Sequence, residues 1–200
     1  MTGLRPGITV CIPTIPPRSM LLNRAVRSVM SQTVADTVPV MSSLSLDAER
    51  RGAAATRQAA LDGAQTEWTA FLDDDDEFLP GHLDMCLVHA ETTGADYVYP
   101  WYHVIGGTDP RPEVFGQPWD PEHPVQTTIT VLVRTELAQA VGFRTVAPET
   151  LTSPDRLYAG EDWDFTQRCL AAGARISHLP ARTWNWYHHG QNTSGLPHRW

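Results

Sequence analysis

Asp73, Asp74, Asp75, Asp76 and Glu77 follow one another directly behind the apolar stretch Trp68-Thr69-Ala70-Phe71-Leu72. Five adjacent carboxylates repel, so a fold that gathers them at the end of a buried strand calls for a cation to offset the repulsion. Carboxylate oxygens suit hard divalent ions such as Mn²⁺ or Mg²⁺, and the expected use of such an ion is to hold a diphosphate. The competing reading is a solvated turn whose acids cap a helix beginning near Pro80, where the helix dipole favours negative charge. Four consecutive aspartates behind a buried strand weigh toward metal.

Two further clusters carry polar chemistry: Gly160-Glu161-Asp162-Trp163-Asp164-Phe165 and Trp186-Tyr187-His188-His189-Gly190. Acids after a glycine at a helix start are ordinary first-turn residues that face free backbone N–H groups. A carboxylate at that position, facing a metal-bound electrophile, can instead take a proton from an acceptor hydroxyl. Paired histidines are most often plain surface or core residues, but beside Gly190 in a polar loop they can reach a metal, and imidazole is acceptable to Mn²⁺.

Alternating strands and helices must position these clusters. Gly7 to Pro13 is a short β-branched run ended by proline and reads as a first strand buried on both faces. Met20 to Gln32 repeats apolar residues at helical spacing. Thr37 to Leu46 reads as a second strand, Ala53 to Ala64 as an alanine-rich helix, and Trp68 to Leu72 as the strand that delivers the acidic run at its carboxyl end. That is where ligands bind in open α/β sheets. A helix over His82 to Thr93 stops at Gly94, and Asp96 to His103 follows as a strand. Pro110, Pro112, Pro118, Pro121 and Pro124 then interrupt regular structure between Gly106 and Pro124, leaving a long loop of the kind that serves as a lid or binding loop. A strand over Thr127 to Val133, helices over Glu136 to Val141 and Asp162 to Ala172, and a strand near Arg175 to Leu179 complete the pattern.

The chain of 200 residues, 42% hydrophobic, fits one domain with one core. With 15 basic residues, all arginine, against 23 acidic ones, the net charge is -8. That balance disfavours a surface built to neutralise nucleic-acid phosphates. Cys11, Cys86 and Cys169 are odd in number, far apart and set in apolar segments, as expected of buried hydrophobes in a reducing compartment. No apolar segment approaches the roughly 20 residues of a membrane span, and Met1 to Gly7 does not resemble a signal peptide, so a soluble, cytoplasmic protein without a membrane anchor is expected.

Together the clusters resemble the family 2 glycosyltransferases, nucleotide-sugar-dependent enzymes of GT-A fold. Val10-Cys11-Ile12-Pro13-Thr14 followed by Arg18 resembles the family's first strand and nucleoside-binding turn, and Ala25 to Thr33 its first helix. Gly52 to Gln58 is similar to the glycine, alanine and arginine segment ahead of the metal motif, which Phe71 to Pro80 matches closely. Val131 to Arg134 with Val141 to Arg144 looks like the segment before the catalytic acid. Gly160-Glu161-Asp162 corresponds to the acid motif, and His189-Gly190 to the late histidine.

The resemblance implies an α/β chain of GT-A, Rossmann-like fold, with a mixed central sheet flanked by helices. Its halves would be a nucleotide-sugar-binding part over 1–105 and an acceptor and catalytic part over 106–200. It further implies an inverting transfer from a nucleoside-diphosphate sugar, a UDP-sugar first, to an acceptor hydroxyl. Asp162, with Glu161 beside it, would be the base. Asp73, Asp75 and His189 would hold the Mn²⁺ or Mg²⁺ ion, and Pro13, Thr14, Arg18, Arg57, Asp73 and Asp74 would line the donor. Asp76 and Glu77 would tune charge or cap the next helix. The family's second strand usually ends in an aspartate that reads the base; here Val40 to Ser45 offers none until Asp47, which is the candidate reader. The proline-rich loop with Trp101, Trp119 and Trp163 is expected to shape the sugar and acceptor side. The acceptor classes are glycan, lipid-linked sugar, protein and modified nucleobase. A non-catalytic nucleotide-sugar-binding scaffold of the same fold, and a metal-dependent nucleotidyltransferase, are the alternatives.

Overall fold

The computed structural model describes residues 3–16, 18–35, 38–125, 127–145 and 160–188. The β-branched run near the start forms β1 (Arg5–Thr14), with Ile8, Val10, Cys11 and Ile12 fully buried. It lies between two parallel neighbours, β2 (Val40–Leu46) and β3 (Thr66–Phe71), so the carboxyl ends of all three emerge at one edge. The crossovers are α1 (Ser19–Met30) and α2 (Ala53–Asp62). β4 (Glu77–Phe78), α3 (His82–Thr93), β5 (Tyr97–Ile105), β6 (Leu132–Arg134), α4 (Thr135–Val141), α5 (Glu161–Ala171) and β7 (Ile176–Tyr187) follow. The strands form one mixed sheet in the order β2-β1-β3-β6-β5-β7-β4. β6 runs antiparallel to β3 and β5, β7 parallel to β5, and β4 antiparallel to β7. This is the expected α/β architecture.

Three of the expected strands change most, each for a tertiary reason, and the two-residue β4 was not expected. β1 begins at Arg5, because Gly7 at φ 134° lets the strand pass Pro39, whose carbonyl would lie 2.7 Å from an added Cβ. The strand expected over Thr127 to Val133 shrinks to Leu132–Arg134. Its earlier residues are buried but turn inward, Thr127 Oγ1 lying 3.2 Å from Tyr97 Oη and 3.3 Å from Thr166 Oγ1. The strand expected to end at Leu179 continues to Tyr187 on the far side of Pro180. Its pairing with β5 shifts register between Tyr99 and Tyr102, where each strand carries a proline, Pro100 and Pro180, that cannot donate to the ladder. The aromatic segment is therefore strand, with Trp184 1% exposed and its ring 5.3 Å from that of Tyr102.

One core spans the sheet. Next to the acidic run it is built from rings: Phe143 and Phe165 stack at 4.4 Å, and Phe71, at the end of β3, meets them edge-on at 5.2 and 5.9 Å. All three cysteines are free and buried, and burial pushes the Cys11 thiol up to about 12, as for a small hydrophobe. No helix among the described residues is long and apolar enough to cross a membrane. Phe71→Ala should cost about 3–5 kcal/mol of stability in denaturant unfolding, because the ring is fully buried and its two aromatic neighbours cannot close the space.

Candidate functional site

The parallel strands place the end of β1 beside the acidic run. Thr14 Oγ1 donates to Asp74 Oδ2 at 2.6 Å, while Arg18, just ahead of α1, donates from Nη1 to Asp74 Oδ1 at 2.8 Å and to Asp75 Oδ2 at 3.1 Å. Both oxygens of the buried Asp74 are thus engaged by the last residue of β1 and the turn that follows it. Pro13 is the strand residue before Thr14, opposite Ser45 of β2. Asp47, at the end of β2, donates its backbone N–H to the Thr14 carbonyl at 2.8 Å. Its carboxylate accepts from the backbone N–H groups of Arg51 at 2.7 Å and Gly52 at 2.8 Å, and the Arg51 bond, despite the opposing effect of burial, holds the group below the usual carboxylate range. Asp47 therefore shapes the loop into α2 as well as lying beside the turn that follows β1.

Arg57, one turn into α2, joins the acidic run to the start of α5. Its side chain is 7% exposed. Nη2 donates to Asp73 Oδ1 at 2.7 Å, and Nη1 donates to Asp162 Oδ1 at 2.9 Å and to Glu161. Gly160 at the α5 N-cap makes no side-chain cap, and Glu161 and Asp162 point to the guanidinium, which goes beyond an ordinary first-turn role. The helix-cap reading of the acidic run also fails. α3 starts after Gly81 with no side-chain cap, and Glu77 instead accepts from Asn185 Nδ2 at 3.0 Å and Tyr187 Oη at 2.8 Å on β7.

Asp73, Asp75 and Asp76 each offer an oxygen within 4.8 Å of the others. Three carboxylates at that spacing are a donor set suited to a hard divalent ion. Asp73 and Asp75 were expected there; Asp76 joins them because the β4–β7 pairing brings the Tyr187 backbone N–H to its Oδ1 at 3.0 Å. Burial, followed by the charges of Asp73 and Asp75, raises Asp76 well above the usual carboxylate range, and Arg24, which donates to the Asp75 carbonyl and lies over the Tyr187 ring at 3.6 Å, offsets only part of this. His189 lies outside the described residues. His188 precedes it and is tied by its backbone N–H to the Ile105 carbonyl at 2.8 Å. Asp162 keeps 28% of its side-chain surface open, yet desolvation, reinforced by Glu161 and Asp73, pushes it up to about 7 against the pull of Arg57.

The tryptophans divide. Trp101 is 3% exposed and donates to Asp109 Oδ2 at 2.7 Å, so it anchors the proline-rich segment to the sheet rather than facing a sugar. Tyr102 Oη at 3.2 Å, the Arg111 backbone N–H at 3.0 Å and Arg182 Nη1 at 3.3 Å converge on the same carboxylate. Trp119 packs edge-on to Tyr99 at 5.7 Å, and Trp163 is half-buried on α5.

Residues 45–139 match the family described as Glycosyl transferase family 2. The match covers a little under half of the chain. The matched segment contains Asp47, Arg57 and the whole acidic run, and stops before Glu161 and Asp162. The GT-A fold extends further. The crystal structure of S. aureus TarS 1-349 in complex with UDP-GlcNAc aligns with a TM-score of 0.75 at 18% identity, over 95% of this chain and 61% of that one. The TarS 1-349 complex with UDP aligns at 0.71 and 18%, over 91% and 60%, and a TarS structure of greater length at 0.68 and 19%, over 91% and 37%. This chain thus spans about three fifths of the length of the TarS 1-349 chain. No curated protein sequence matches significantly.

A carboxyl whose folded pKa lies above its unfolded value stabilises the fold while protonated, and that contribution is lost as the pH rises through the folded pKa. For Asp76 the ionised form is therefore costly near neutral pH without a cation. Asp76→Asn should raise the Tm of the cation-free protein at pH 7.5 and reduce the rise that Mn²⁺ produces in the parent; thermal denaturation with and without Mn²⁺ checks both.

Proposed function

We propose that this chain is an inverting glycosyltransferase that moves a sugar from a nucleoside diphosphate, a UDP-sugar first, to an acceptor hydroxyl, with Asp162 as base. The observation that carries the reading is the meeting of the acidic run and the α5 acids on one guanidinium, Asp73 at 2.7 Å and Asp162 at 2.9 Å from Arg57. A donor-binding carboxylate and a candidate base so placed can face one reacting bond from two sides. The uridine assignment is supported by TarS, whose structures hold UDP-GlcNAc and UDP on this fold.

Pro13, Thr14, Arg18 and Asp47 line the nucleoside side, with Asp74 fixing the orientation of Thr14 and Arg18. Asp73, Asp75 and Asp76 would hold a divalent ion, with His189 a further candidate ligand. When bound, the ion supplies positive charge against the charge that gathers on the departing diphosphate. Asp162 accepts the proton of the acceptor hydroxyl as that oxygen bonds to the anomeric carbon and the bond to the diphosphate oxygen breaks on the opposite face. Glu161 shares Arg57 with Asp162 and keeps the guanidinium at the start of α5. Phe71, Phe143 and Phe165 pack behind the site and fix the end of β3 relative to α5. The acceptor is a hydroxyl compound whose class lies in loop shape rather than in these residues.

Asp162→Asn should lower the transfer rate by roughly 10²–10⁴-fold while leaving UDP affinity unchanged, measured with a panel of UDP-sugars and by calorimetry. Retained transfer would remove Asp162 from the base role. Because burial raises this carboxyl to about 7 and a base must be ionised, kcat/KM should climb as pH rises through about 7 and level off above it; a profile flat across that range contradicts the assignment.

A further inference from the structure

Arg57 has a role that follows from its having more acceptors than a single cation needs. Its side chain is more than nine-tenths buried, and Nη1 and Nη2 are both taken by protein carboxylates. Nε is also buried, and it has no hydrogen-bond partner among the described residues. The guanidinium is thus saturated at Nη1 and Nη2, while the buried Nε–H is a donor unmatched among the described residues, from which an anion could accept once the side chain shifts. On the saturated side it holds Asp73, one of the three carboxylates of the candidate cation site.

We propose that Arg57 is a built-in counter-ion that competes with the divalent cation for Asp73, so that the cation binds well only when a nucleoside diphosphate offers Arg57 another anion. The proposal rests on reading Asp73, Asp75 and Asp76 as a cation site. An ion on an Asp73 oxygen would lie next to the guanidinium that already neutralises that carboxylate, and two positive charges so close repel. A diphosphate arriving at the site brings negative charge to both: it screens the ion from Arg57 and provides an acceptor for Nε–H. Since Nη1 of the same group holds Asp162, the shift of Arg57 toward the diphosphate loosens its grip on the candidate base. Donor loading and release of the base are then linked through one side chain, and Arg57 is a positioning residue as well as a donor contact.

The linkage is tested by titrating Mn²⁺ alone into the parent protein and into Arg57→Gln, by calorimetry and by water-proton relaxation, and repeating both titrations with saturating UDP. Arg57→Gln should bind Mn²⁺ without nucleotide about fivefold or more tighter than the parent, the size of a typical coupling between sites. Arg57→Lys, which keeps a positive charge in the buried position but cannot span both carboxylates, should fall between them and serves if the glutamine variant does not fold. Equal or weaker nucleotide-free affinity in the variants overturns the competition, while Mn²⁺ binding with UDP in all three would leave the cation site standing. No Mn²⁺ binding by any of them under either condition overturns both.

Discussion

Everything at this edge of the sheet depends on how neighbouring carboxylates can be held together without driving the chain apart. Asp73 to Glu77 are joined by Glu161 and Asp162, and arginines from three places meet them: Arg18 ahead of α1, Arg24 within it, and Arg57 on α2. Each arginine does a different job. Arg18 fixes Asp74 to the turn that follows β1, Arg24 braces the main chain of Asp75 and stacks on Tyr187, and Arg57 spans to α5. The compensation is incomplete: Asp76 and Asp162 are both displaced upward in pKa by burial and by neighbouring carboxylates. Such a deficit of positive charge at the end of a parallel strand is the electrostatic setting on which the proposed cation site rests.

The packing explains how the deficit is tolerated. β3 is anchored on both sides, by β1 and β6, and Phe71 at its end is gripped by Phe143 and Phe165, so the acidic run starts from a rigid point. From the other direction β4 pairs with β7, and the hydrogen bonds of Tyr187 and Asn185 to Glu77 and Asp76 keep the run from swinging into solvent. The rigidity comes from both ends of the chain. Disturbing either anchor should displace carboxylates that are far apart in its sequence.

Much of the site was legible in the sequence where the signal was local. The acidic run behind a buried strand is a short pattern whose residue types suggest its chemistry, whereas Gly160-Glu161-Asp162 reads on its own as an ordinary helix start and Arg57 gains a role only through the resemblance to the family 2 glycosyltransferases. What was not legible depended on distant pairing. Asp76 looked like a charge-tuning neighbour until a two-residue strand joined it to Tyr187, 111 positions away. Trp101 was expected, with the proline-rich loop, to shape the sugar side, but its residue type does not say that its indole is buried and bonded to Asp109. The last strand was expected only near Arg175 to Leu179, just before Pro180. That proline marks a register shift instead, since β5 carries its own proline at the same level.

On the proposed reading, this edge binds a nucleoside diphosphate through the acidic run and a divalent ion. Calorimetric titration of UDP into the protein, with Mn²⁺ and again with chelator, tests it most directly. One UDP should bind per chain with Mn²⁺ present, with a large loss of affinity once the ion is chelated. UDP binding of equal strength in both conditions, or none in either, would contradict that reading.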